Sequence, residues 1–92
     1  MSEQVAREVS VHGTVQGVGF RYYTAAEADR LGVHGWVRNE PDGSVTAHIE
    51  GTLAQVNAML AWLAVGSRWA RVTHVETKVV AVGGHRSFRI TG

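Results

Sequence analysis

The stretch GTVQGVGFR, Gly13 to Arg21, decides how this chain is read. Three glycines within seven residues weaken any regular element, so the backbone there is asked for something side chains would obstruct. The run upstream has a period of two. Val5, Val9 and Val11 alternate with more polar residues and predict a half-buried strand from about Val5 to His12. Downstream the period lengthens. Phe20, Thr24, Ala28 and Leu31 fall near one face at helical spacing, and Gly32 is placed to end that helix. The glycine loop therefore joins a strand to a helix N-terminus, where the first N–H groups lack internal partners and the helix dipole favours an anion.

The rest of the chain extends that frame. Val33 to Arg38 returns to strand chemistry around Trp36. Asn39-Glu40-Pro41-Asp42-Gly43 is a hairpin-turn signal, and Ser44 to Glu50 supplies the returning strand with Val45, Ala47 and Ile49. Thr52 is placed to cap a second helix with a stripe of Leu53, Val56, Leu60 and Leu63, and Met59 beside it. Gly66 to Ala70 reads as a loop. Arg71 to Val82 reads as a long strand with a bulge, and Ser87 to Thr91 as a short closing strand. The order β-α-β-β-α-β plus a terminal strand predicts an α/β sandwich. Two helices pack on one face of a mostly antiparallel sheet, a ferredoxin-like arrangement. Such a fold assigns no function by itself.

Composition narrows the chemistry. A chain of 92 residues, 45% hydrophobic with one proline, reads as one small globular domain over residues 1–92. Its formal charge of +1 gives no bulk attraction to nucleic acid or an anionic membrane. With no cysteine there is no disulfide framework, thiolate nucleophile or cysteine-ligated metal. The polar start MSEQVAREVS contains no apolar targeting segment, which reads as a cytoplasmic protein working as a monomer. His12, His34, His48, His74 and His85 show no paired ligand spacing, so neither a metal nor a cofactor is expected. Trp36, Trp62 and Trp69 do not alternate with basic residues as a base-stacking surface would.

Within the loop, consecutive glycines let the backbone curl into a nest suited to phosphate oxygens. Arg21 follows in the first helical turn, and its guanidinium can fork onto a phosphate with two parallel hydrogen bonds. Neither the P-loop pattern nor the dinucleotide fingerprint fits, since no Lys-Ser/Thr pair follows and the third dinucleotide position is Tyr22. Spacing alone leaves two readings open, a small-anion cradle or a structural turn followed by a solvated arginine. Asn39 likewise reads as turn initiation or as a polar group at a site.

Two blocks carry a resemblance. Gly13-Thr14-Val15-Gln16-Gly17-Val18-Gly19-Phe20-Arg21 and Gly35-Trp36-Val37-Arg38-Asn39-Glu40-Pro41-Asp42-Gly43 resemble the acylphosphatase family. The similarity extends through Ala28, Leu31-Gly32, Gly51 and Phe88-Arg89-Ile90. The resemblance implies metal-independent hydrolysis of a small-molecule acyl phosphate to a carboxylate and inorganic phosphate. It implies catalytic roles for Arg21, gripping the phosphoryl group, and Asn39, orienting the attacking water. Gln16, Gly17, Val18, Gly19 and Phe20 would complete the phosphate cradle with Arg21. Glu40, beside Asn39, stands to weaken affinity for an anion. The alternative is a non-catalytic phosphate-binding or regulatory module with the same cradle.

Overall fold

The computed structural model describes residues 3–92. The elements run β1 (Gln4–Thr14), α1 (Phe20–Leu31), β2 (His34–Asn39), β3 (Val45–Thr52), α2 (Leu53–Val65), β4 (Arg71–Val80) and β5 (Phe88–Thr91). The five strands form one sheet in the order β4-β1-β3-β2-β5. β1 pairs antiparallel with both β3 and β4, and β3 with β2, while β5 lies parallel to β2 at the edge. Each strand–helix–strand unit therefore reaches over one intervening strand, and the two units interleave. This is the ferredoxin-like α+β arrangement with one strand added.

Both helices cover the same face and touch one another; α1 lies over β2 and β5, and α2 over β1, β3 and β4. Strand alternation turns Val9, Val11, Val37, Val45, Ala47 and Ile49 into the layer between. Phe20 and Ala28 come down from α1, and Val56, Met59 and Leu63 from α2. A fully buried side chain of the size of Phe20 stabilises the fold by roughly 1.5–3 kcal/mol, so it anchors the start of α1. Thr24 stays inside because its hydroxyl donates to the Phe20 carbonyl at 2.7 Å.

The second helix differs from its sequence pattern in one respect. Met59 sits at the centre of the buried face, whereas Leu53 is 53% exposed. The cause is the junction. Thr52 is both the last residue of β3 and the cap of α2, so no loop lets the first turn swing inward. The Thr52 hydroxyl accepts from the Gln55 N–H at 3.2 Å, and the Gln55 carboxamide oxygen accepts from the Thr52 N–H at 2.9 Å. Such a reciprocal cap fixes where the helix begins.

Gly13 belongs to the sheet rather than to the loop. The pairing of β1 with β4 steps from His12–His74 to Gly13–Val72, leaving Thr73 as the extra residue of a bulge. There a Cβ on residue 13 would lie 2.0 Å from the Arg71 carbonyl oxygen, so only glycine fits. Beyond Val80 the sequence alternation continues, yet the strand stops. Glu50, 3% exposed, takes the Gly83 and His85 N–H groups on its carboxylate, so that segment bonds to a side chain instead of a ladder. Among the described residues no helix is long and apolar enough to cross a membrane.

Candidate functional site

The loop from Val15 to Phe20 is pinned at both ends. Val15 and Phe20 are each 1% exposed, and Val18 packs partly against the core between them. Gly17 and Gly19 hold φ of 75° and 74°, a left-handed conformation that other residues enter at a cost. Gly19 also stands at the N-cap of α1, without a side chain to satisfy the helix start. The first helical bond runs from the Tyr23 N–H to the Gly19 carbonyl at 3.1 Å. No backbone N–H from Gln16 to Tyr22 donates a hydrogen bond within the described residues. Unpartnered donors at the positive end of a helix are what a small anion needs.

These residues line a cavity of about 210 Å³ in which Gly17, Gly19, Arg21 and Asn39 share the wall. Arg21, in the first turn of α1, is held by the chain after β5. Its Nη1 donates to the Gly92 backbone oxygen at 2.8 Å and more weakly to that of Thr91 at 3.4 Å. The added edge strand thus has a clear effect at the site: it orients a guanidinium whose other N–H groups make no hydrogen bond among the described residues.

Asn39 is the last residue of β2, paired with Val45 across the hairpin. The turn is closed by the Glu40 N–H on the Ser44 carbonyl and the Gly43 N–H on the Glu40 carbonyl, at 2.8 and 3.1 Å. Asp42 adds an Asx turn, its Oδ1 accepting from the Ser44 N–H at 2.9 Å and hydroxyl at 2.6 Å. What joins this hairpin to the glycine loop is the Gln16 side chain. Its Nε2 donates to the Glu40 and Ser44 carbonyls, both at 2.8 Å. The sequence reading used only the backbone of Gln16 and missed this brace. A lone carboxamide among glycines was the available signal.

The Asn39 Oδ1 is buried without a hydrogen-bond partner among the described residues. Leaving such an acceptor unsatisfied costs about 1–3 kcal/mol, and proteins rarely tolerate it without a use. Glu40, by contrast, turns away from the cavity wall. Its Oε2 accepts from the Thr46 hydroxyl at 2.7 Å and from Arg38 Nε at 3.1 Å. The Thr46 bond, then the Arg38 bond, hold its carboxyl below the ordinary carboxylate range. The guanidinium offsets the charge expected to weaken anion affinity. No histidine lines the cavity. His12 and His74 stand at Glu76 on the sheet, 3.2 and 3.5 Å from its carboxylate.

Comparison with known proteins fits this geometry. The family model described as Acylphosphatase matches residues 7–90, which spans both glycine-bearing blocks. A protein named acylphosphatase from a Nocardioides species is 53% identical over 85 residues, covering 92% of this chain and 86% of that protein. One of the same name from Thermococcus kodakarensis is 47% identical, covering 98% of this chain and 99% of its own. The crystal structure of acylphosphatase from Bacillus subtilis superposes with a TM-score of 0.92 at 34% identity, over 96% of this chain and 99% of that one. Whole-length similarity on this fold, with the glycine loop and the β2 hairpin inside the matched span, leads to one conclusion: the chain belongs to the acylphosphatase family.

Proposed function

We propose that this chain, as one catalytic domain, hydrolyses small acyl phosphates without a metal, through the cavity shared by Arg21 and Asn39. The observation that carries the proposal is the cavity in which Arg21 and Asn39 meet a loop of unpartnered N–H groups. Phosphoryl transfer spreads charge over equatorial oxygens, so catalysis is chiefly positioning and electrostatic stabilisation. Backbone N–H groups from Gln16, Gly17, Val18, Gly19 and Phe20 receive the phosphoryl oxygens, and Arg21 forks onto them. The Asn39 carboxamide hydrogen-bonds the attacking water and aims its oxygen at phosphorus. The P–O bond to the acyl group breaks, and the carboxylate leaves with the electron pair. Both water protons remain on the phosphate product, one moving directly to a phosphoryl oxygen. A carboxylate is a good leaving group, so no general acid is required. The acyl part lies at the mouth, where Tyr22 and Ile90 are exposed.

The test is release of inorganic phosphate from acetyl and benzoyl phosphate. Turnover is expected without added metal and undiminished by chelator. Phosphate binding in the cavity without turnover on either substrate would leave a non-catalytic binding module instead. On the same proposal the chain acts as a cytoplasmic monomer and takes neither nucleic acid nor a membrane surface. A solution mass well above 10.0 kDa would overturn the monomer.

A further inference from the structure

On the sheet face turned away from the helices, two potential ligands on one strand meet a third from a distant part of the chain. His48 and Glu50 alternate with the inward Ala47 and Ile49 on β3, and His85 lies in the segment between β4 and β5. One ligand atom from each of His48, Glu50 and His85 lies within 4.8 Å of the others. His48 Nε2 is 2.7 Å from Glu50 Oε2, and the His48 side chain is 11% exposed. The His48 and His85 ring centroids are 5.0 Å apart. The surroundings already orient the set. The Gly83 and His85 N–H groups donate to the Glu50 carboxylate, and His34 Nδ1 lies 3.0 Å from the His85 carbonyl. Trp36 also stacks on His48, with ring centroids 6.0 Å apart.

We infer that His48, Glu50 and His85 form a binding site for a zinc-class divalent cation, separate from the hydrolytic cavity. Two imidazoles and one carboxylate are borderline ligands that suit zinc, and they are too few oxygens for calcium. Ligand distances of about 2.0–2.2 Å in a tetrahedral site put donor atoms about 3.3 Å from one another. The 2.7 Å between His48 and Glu50 has to open slightly to reach that value, and the third ligand atom already lies within 4.8 Å of both. The cation takes the Nε2 lone pair of neutral His48, in the tautomer that carries its proton on Nδ1, and replaces the His48–Glu50 hydrogen bond. Solvent takes the fourth position. Binding ties the segment after β4 to β3 and does not enter the proposed hydrolysis.

The experiment uses the whole chain, stripped with chelator and titrated with Co²⁺ as a spectroscopic stand-in for Zn²⁺. One Co²⁺ per chain with a visible d–d band, displaced by Zn²⁺, is expected. His85→Ala, which alters only an exposed ring, and His48→Gln should each lower affinity by at least about 100-fold. That is the upper end of what losing a ligand's supporting partner does. His74→Ala should change nothing, and phosphate release from acetyl phosphate should be the same with and without the metal. Absence of the d–d band overturns the site. So does a band that survives both His85→Ala and His48→Gln, or one lost in His74→Ala, which would place the ion at His12, His74 and Glu76.

Discussion

Replacing Gln16 with leucine separates the two roles that residue has in this account. The substitution removes the Nε2 donor while keeping the side chain near its size, and it leaves the backbone N–H in the loop. Two hydrogen bonds of 2.8 Å disappear, to the Glu40 and Ser44 carbonyls. Neither carbonyl is orphaned, because each keeps a turn bond, from the Gly43 and Glu40 N–H respectively. The full penalty of an unsatisfied buried group therefore does not apply. The net worth of an ordinary hydrogen bond does, about 0.5–1.5 kcal/mol for each, giving a loss of about 1–3 kcal/mol. Urea denaturation should show the midpoint fall by that loss divided by the slope, with the slope itself unchanged. Because the brace fixes the hairpin that carries Asn39, kcat for acetyl phosphate should also fall. Competitive inhibition by inorganic phosphate should hardly change, since the loop amides remain. Unchanged stability would refute the brace. Lost stability with full turnover would show that it does not position Asn39.

Three further outcomes test neighbouring parts. Arg21→Ala should cost about 10²–10³-fold in kcat, the scale of losing one preorganised donor, and Arg21→Lys should rescue little because a point charge cannot fork; phosphate-release kinetics check both. Asn39→Leu should abolish most turnover yet raise stability by about 1 kcal/mol, since it removes a buried acceptor with no hydrogen-bond partner among the described residues; a destabilised variant would contradict that reading of Oδ1. Hydrogen bonds from Thr46 and then Arg38 lower the Glu40 carboxyl, and those from the Ser44 hydroxyl and N–H lower that of Asp42. Their contribution is complete above the unfolded carboxylate range near pH ~4 and lost as pH falls through the lower folded values. Acid unfolding of Glu40→Gln or Asp42→Asn should therefore be shallower than that of the parent chain in that window.

Much of the fold was legible because the local signals agreed. The change of period at Phe20, the Asp42-Gly43 turn and the Thr52 cap each mark an element boundary by chemistry that acts within a few residues. Arg21 was legible as a candidate beside the glycine nest, whereas the place of Asn39 before a turn read first as turn initiation and only the family resemblance implied a role for it. What the sequence did not carry was anything made by long-range contact. Gly13 stood out only as one of three clustered glycines, and its reason for being glycine is the approach of Arg71, far along the chain. Leu53 looked buried by helical spacing, and only the loopless junction after β3 explains its exposure. Val80 to Val82 alternates like a strand, but the Glu50 carboxylate captures the backbone that follows. The Gln16 brace, the hold of residues 91–92 on Arg21 and the meeting of His48 with His85 all depend on strand order.

The central claim is that loop amides and Arg21 form a ready site for a dianion. Titrating ¹⁵N-labelled chain with inorganic phosphate, while following backbone amides and the Arg21 Nε–H by NMR, tests it most directly. The account predicts saturable shifts confined to Gln16 through Tyr22, Arg21 Nε and Asn39. Phosphate that leaves those resonances unmoved, or that shifts a different surface, would contradict it.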